Sequence, residues 1–344
     1  MKIVFYEADF WKGVYSHKQV ERKLNGHKVK FVSGCVSPEN ISEAKDADAV
    51  CLFVFSKIGK KELKIWKKCK VIGTMSTGYN HINLRECKKR KISICNVPTY
   101  GSTTVAEYTI AMMLALSRKI VQAYDKAREG KFDLHGLRGV DVEGKTLGIV
   151  GFGKIGQNVA TRASAFGMKI LAYDPYTDMQ CMGERGCIKA KMDELLRKSD
   201  FISLHTPLLE STCHIIDRAA IKKMKKGVMI INTARGELID TAALVDGLNS
   251  GKIAGVAIDV IEEENVLKNE RKLFSEHVDD GKANMKTVVA NHILIDMENA
   301  IVTSHNAFNS KEAVARIVNA TIENVKSFAK KKPSNVVGEK KGKK

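Results

Sequence analysis

The eight cysteines of this chain form no C-x-x-C pair and share no metal-ligand spacing with its nine histidines. That pattern offers no metal site and predicts reduced thiols, as in a cytoplasmic protein. Long hydrophobic runs are missing too. The longest, Ile110 to Leu116, falls far short of a bilayer, so no membrane partner is expected. The chain begins at once on the strand-like Met1-Lys-Ile-Val-Phe-Tyr6, which predicts no signal peptide. Acidic residues are in deficit, 39 against 57 lysines and arginines, for a net charge of +18. Lysines crowd Lys57 to Lys70, Lys88 to Lys91 and Lys330 to Lys344. Aromatic residues make up 6% of the chain, and none interleave with these basic runs. The charge therefore reads as a solvated surface rather than a nucleic-acid site, and it would draw in a small anion. No repeat of solenoid period is visible.

What is present is an ordinary globular composition, 44% hydrophobic and 28% charged, in a chain long enough for two domains. Lys2–Tyr6, Val29–Val32, Ala49–Phe55, Lys70–Thr74 and Ile92–Asn96 read as strands of a small parallel α/β unit, with stretches between them long enough for helices. Runs at Phe201–Leu204, Val228–Ile231, Ala254–Ile258 and Ile301–Thr303 continue the alternation. Thr104-Val-Ala-Glu107 reads as a capping box opening a helix from Val105 to Arg118, and Asn309-Ser-Lys-Glu312 as a second, opening a helix toward Ala329. Asp240 reads as the N-cap of a helix from Thr241 to Leu248. The stretch from Asn265 to Asn299 is long for a strand–helix connection and predicts an inserted hairpin or helix at the sheet edge. Cys181 and Cys187 read as loop residues, and 333–344 as a disordered basic tail.

The most informative stretch is Gly151-Phe-Gly-Lys-Ile-Gly156. The strand-like Thr146–Val150 precedes it, a helical pattern from Gln157 to Phe166 follows, and Met168–Tyr173 reads as a second strand ending on Asp174. This is the strand–turn–helix–strand context of a dinucleotide site. Gly151 permits the tight turn, Gly153 admits a pyrophosphate, and Gly156 lets the helix approach the sheet. Lys154 and Ile155 would offer backbone N–H groups to the pyrophosphate. Asp174 would accept from the ribose hydroxyls and repel a 2′-phosphate, which predicts NAD rather than NADP.

With Arg235, Glu264 and His305 added to the glycine turn, the chain resembles the D-isomer-specific 2-hydroxyacid dehydrogenases, and within them the D-lactate dehydrogenase branch. The supporting stretches are Ser76-Thr-Gly-Tyr-Asn-His-Ile-Asn-Leu84, Asn96-Val-Pro-Thr-Tyr100, Val105-Ala-Glu107, Leu204-His-Thr-Pro-Leu208, Asn232-Thr-Ala-Arg-Gly236, Asp259 through Glu264, and His305-Asn-Ala-Phe308. The resemblance implies two Rossmann-like parallel-sheet domains of the α/β class, an NAD domain at 100–305 inserted into a substrate domain made of 1–99 and 306–332. It implies an active site in the cleft between them, hinges near 100 and 305, and a homodimer. The implied activity is NAD-dependent interconversion of a 2-keto acid and a D-2-hydroxy acid, pyruvate and D-lactate foremost. The alternatives are a glycerate or phosphoglycerate branch, and an NAD-sensing binding protein of the corepressor type.

The same resemblance distributes roles. His305 is the proton donor, a residue able to act as acid one way and base the other. Glu264, five residues after Asp259, orients His305 and stabilises its protonated form. Of its neighbours, Glu262 or Glu263 reads as part of an exposed acidic turn. Arg235 binds the substrate carboxylate and polarises the keto oxygen. Asp259 lies near the nicotinamide, Thr206, Pro207 and Thr212 toward the adenosine side, and Thr233 and Ala234 toward the nicotinamide ribose. Ser76, Thr77 and Gly78 form a nest of N–H groups for the carboxylate, and Tyr100 and Phe308 wall the pocket. Asn80 and Ser304 depart from an aspartate and a proline common in relatives.

Overall fold

The computed structural model describes residues 1–268 and 284–337. The chain divides into two compact units, residues 1–100 with the segment from Asn309 onward, and Gly101–Phe308. Both are α/β, with parallel sheets, and the second unit lies within the chain of the first.

The first sheet comprises β1 (Lys2–Phe5), β2 (Lys28–Phe31), β3 (Ala49–Leu52), β4 (Val71–Thr74) and β5 (Ser93–Cys95), in the order β2-β1-β3-β4-β5. Ile3, Val4, Phe5 and Tyr6 are all fully buried, as expected of a parallel strand covered on both faces. Tyr6 stacks on Trp66 at 5.9 Å, and Phe5 meets Trp11 edge-on at 5.5 Å. The last helix, Lys311–Ala329, packs against β4 through Val314, Ile317, Val318, Thr321, Ile322 and Val325, spaced as one stripe of an amphipathic helix.

The second sheet comprises β6 (Thr146–Val150), β7 (Lys169–Tyr173), β8 (Cys187–Lys189), β9 (Phe201–Leu204), β10 (Val228–Asn232), β11 (Ile253–Ile258) and β12 (Ala300–Val302), in the order β12-β11-β10-β9-β6-β7-β8. The order reverses between β6 and β9. In open α/β sheets that switch point, beyond the carboxyl ends of the strands, is where ligands bind.

Several local expectations need correction. The helix expected from Val105 starts at Ser102 and ends at Ser117, with Gly101 as N-cap, so Thr104 lies inside its first turn and Glu107 pairs with Arg162 at 3.0 Å. The cap of the last helix is Ser310, whose hydroxyl accepts from Ala313 N–H, one residue past the expected Asn309. Cys187 begins edge strand β8 and is buried, and Cys181 sits on the helix Met179–Gly183. Of the basic tail, 333–337 are ordered: Val336 pairs antiparallel with Cys95, and Val337 N–H donates to the Ile94 carbonyl at 2.8 Å, which extends the sheet past β5. Residues 338–344 lie outside the described residues. Asn306 to Phe308 belong with the second unit, because the Asp259 carboxylate takes the N–H groups of Asn306 and Ala307. Tyr100 falls in the first unit, where its carbonyl accepts from Arg316 at 2.7 Å. The expected insertion contains the helices Glu264–Lys268 and Met285–Asp296, and the rest of it lies outside the described residues.

All eight cysteines are free thiols. Among the described residues no helix is long and apolar enough to cross a membrane, and no acidic, Cys or His cluster could hold a metal.

Candidate active site

The switch point of the second sheet opens on Gly151, directly after β6. Its φ of +93° is left-handed backbone, and a Cβ there would stand 2.7 Å from the His205 carbonyl carbon. The glycine turn therefore touches the loop that follows β9. Gly153 is the N-cap of the helix Lys154–Ala165, contributes no side-chain cap, and faces open space. Among the described residues the N–H groups of Lys154 and Ile155 meet no acceptor. Open space at a glycine beneath unpartnered helix N-terminal donors fits a pyrophosphate. Gly156 is buried within that helix. Asp174 follows β7. One carboxylate oxygen accepts from Phe152 N–H at 2.8 Å, inside the glycine turn, and the other accepts from Tyr176 and Thr177 N–H at 2.8 and 3.1 Å. The acid is thus fixed beside the glycine turn.

Around the crevice, Thr206 and Pro207 follow His205, whose Nε2 lies 2.8 Å from Ser203 Oγ. Burial pushes the His205 pKa down to about 3, so the ring is neutral. Thr212, expected to reach the cofactor, closes its own turn: its hydroxyl donates to the Pro207 carbonyl at 2.7 Å and accepts from Leu209 N–H at 2.8 Å. Thr233 shares a 2.9 Å hydroxyl contact with Thr109, both buried.

Asn232, the last residue of β10, folds its amide back over the next turn. Its oxygen accepts from Ala234 N–H at 3.0 Å, and its nitrogen donates to the Arg235 carbonyl at 2.8 Å. Arg235 leaves this turn with Nη1 on the Ala234 carbonyl at 2.5 Å. Gly236 lies so close to the Ile261–Glu262 peptide that a Cβ would collide with it. The Arg235 turn and the segment leading to Glu264 are therefore in direct contact.

Glu264 and His305 meet. His305 Nδ1 lies 3.0 Å from Glu264 Oε2, with both side chains partly exposed. His305 holds a left-handed φ of 56°, and Glu263, next to Glu264, one of 51°. Such strain in non-glycine residues persists where the surroundings over-determine it. Asp259 supplies the restraint on His305. It is 1% exposed; one carboxylate oxygen accepts from Thr303 Oγ1 at 2.5 Å and Asn306 N–H at 2.8 Å, and the other from Ala307 N–H at 2.7 Å. Its carbonyl also accepts His305 N–H at 2.8 Å. Asp259 thus anchors the histidine loop. The Phe308 ring stands 6.5 Å from the imidazole, edge-on.

Glu262 is not an exposed acidic residue. It accepts from Thr241 N–H and Oγ1 at 2.9 and 2.6 Å and meets His214 Nε2 at 2.7 Å. It ties the start of the helix Thr241–Asn249 to the loop before Glu264. In the first unit, the Ser76–Gly78 loop leaves the end of β4, and among the described residues the N–H groups of Thr77 and Gly78 meet no acceptor.

Residues 110–307 match the family model for the NAD-binding domain of D-isomer-specific 2-hydroxyacid dehydrogenases. The 2-hydroxyacid dehydrogenase homolog 2 of Schizosaccharomyces pombe is 38% identical over 332 residues, 95% of this chain and 96% of its own. The chain belongs to the D-isomer-specific 2-hydroxyacid dehydrogenases. The D-lactate dehydrogenase of Escherichia coli is 35% identical over 329 residues, covering 92% of this chain and 96% of that one. A crystal structure of Aquifex aeolicus D-lactate dehydrogenase complexed with NAD and lactic acid superposes with a TM-score of 0.85 at 32% identity, over 98% and 99% of the two chains. This 2-hydroxyacid dehydrogenase chain thus binds NAD through its second unit.

Sequence reasoning passed over the hydrogen bonds of Asn232 and Glu262. An Asn that ends a buried strand and precedes two small residues is an Asx-turn signal, and could have been read. The role of Glu262 depends on partners distant in sequence, Thr241 and His214, and nothing local marks it.

Proposed function

We propose that this dehydrogenase reduces pyruvate to D-lactate and catalyses the reverse reaction. The observation that carries the reading is the His305–Glu264 hydrogen bond, held on a loop that Asp259 anchors through three backbone N–H groups and the Thr303 hydroxyl. With Nδ1–H donated to Glu264, Nε2 is the ring nitrogen left to exchange a proton with substrate. Bound NADH supplies the hydride. His305 donates its Nε2 proton to the keto oxygen as negative charge develops there, which removes the cost of a bare alkoxide. Glu264 steadies the imidazole through the protonation change. Arg235, part of its fork free of the Ala234 carbonyl, polarises the keto oxygen and takes the carboxylate. In the first unit, the outward N–H groups of the Ser76–Gly78 loop are suited to a carboxylate. In the reverse direction His305 takes the hydroxyl proton back.

The test is NADH oxidation across pyruvate, longer 2-keto acids, glyoxylate, hydroxypyruvate and 3-phosphohydroxypyruvate. Pyruvate is expected to be turned over, with kcat falling at least about 100-fold in His305→Ala. Turnover of 3-phosphohydroxypyruvate without pyruvate would reassign the substrate. Tight NADH binding with no turnover of any acid would favour the sensing protein.

A further inference from the structure

The Ser76–Gly78 loop leaves β4 with three successive carbonyls occupied. The Ser76 carbonyl accepts from Val97 N–H at 2.9 Å, that of Thr77 from Asn96 Nδ2 at 2.8 Å, and that of Gly78 from Ser76 Oγ at 2.5 Å. No peptide bond in the described chain is cis, so the N–H after each carbonyl points the opposite way. Those are the N–H groups of Thr77, Gly78 and Tyr79, and none meets an acceptor among the described residues. The nest is made by holding its carbonyls down.

The Gly78 clamp ends in a chain of side chains with one consistent proton order. A carbonyl only accepts, so Ser76 Oγ gives its single proton to Gly78. Ser76 Oγ therefore accepts from Thr74 Oγ1, 2.7 Å away. Thr74, its proton committed, accepts from His81 Nε2 at 3.2 Å. His81 must then carry its proton on Nε2. Burial pushes its pKa down to about 4, so at neutral pH that proton is the only one on the ring. Thr74 and Ser76 are 0% and 2% exposed, so this part of the chain of hydroxyls is closed to bulk solvent.

We propose that His81 is the positioning residue of the carboxylate-binding loop: through Thr74 and Ser76 its Nε2–H fixes the Gly78 carbonyl and so aims the outward N–H groups. His81 itself touches no substrate. The proposal rests on the 2-keto acid reading above. Holding a group that binds carboxylate alike in ground and transition states affects KM rather than kcat.

The experiment compares His81→Leu and His81→Gln with the full-length wild type, using pyruvate and NADH. His81→Leu removes the donor and is expected to raise the KM for pyruvate about tenfold, a hydrogen bond's worth, with kcat within about threefold and the NADH dissociation constant unchanged. His81→Gln, which restores an N–H donor, is expected to recover KM to within about threefold of wild type. An unchanged KM in His81→Leu overturns the proposal. So does a joint loss of KM, kcat and NADH affinity that glutamine fails to rescue, since that marks general damage to the fold. A wild type that turns over no 2-keto acid overturns the functional reading, and the positioning role with it.

Discussion

Asp259→Asn tests whether the histidine loop is held as its hydrogen bonds suggest. In the native protein one carboxylate takes three donors, from Thr303, Asn306 and Ala307, at 1% exposure. Asparagine keeps the shape. Its carbonyl oxygen can retain Thr303 and Asn306, but the amide nitrogen then faces Ala307 N–H donor to donor. One charge-assisted bond is lost and one buried donor orphaned, together about 2–4 kcal/mol. The loop can relieve this by moving Ala307, which lies two residues from His305. Displacing a proton donor by about 1 Å costs on the order of 100-fold in rate. Expected values are therefore a kcat lowered about 100-fold, a lower melting temperature, and an NADH affinity within about threefold of wild type. Stopped-flow reduction, thermal unfolding and NADH fluorescence titration measure the three. A kcat within twofold of wild type would refute the anchoring role.

Two further outcomes follow from other parts of the structure. Asp174→Ser removes the charge beside the glycine turn and is expected to shift the ratio of kcat/KM for NADH over NADPH toward NADPH by about tenfold or more; an unchanged ratio refutes the ribose assignment. Stability should fall with acid. The folded-state pKa values of His81 and His205, about 4 and about 3, lie below the ordinary 6.5. The unfolded chain thus binds protons that the folded one refuses, and stability is full above pH 6.5 and lost as pH falls toward 4, by about 1.4 kcal/mol per unit for each ring. Buried Glu7 acts in the opposite sense, its pKa raised by desolvation, so its penalty on the folded state eases in acid. Urea midpoints at pH 7 and pH 5 check the balance, and equal midpoints would refute it.

The strands of the second unit were legible almost to the residue, Thr146–Val150 and Phe201–Leu204 among them, because a parallel strand buried on both faces is written as an unbroken apolar run. The glycine turn was legible because its backbone demands are local. Cys187–Lys189 was not, since three residues at a sheet edge carry no period. The helix at Ser102 was misplaced because its first turn is polar and a plausible capping box lay just inside it. For the site, residue types and chain order pointed to Arg235, Glu264 and His305. What sequence could not give was the set of hydrogen-bond partners of Asp259, Glu262 and Thr212. Which donors a carboxylate takes is not spelled in its letter; the two N–H groups and the hydroxyl that Asp259 holds come from the return of the chain after β12.

The helix Lys311–Ala329 has a consequence for how the protein is born. It covers β4 of a sheet whose five strands all lie within the first hundred residues, yet it is made last. While the nascent chain is still on the ribosome, the intervening α/β unit can complete its own sheet, whereas the earlier one waits with an apolar face bare. Any stop codon before Lys311 leaves that face open, so such truncations should produce aggregating protein rather than a merely weaker enzyme.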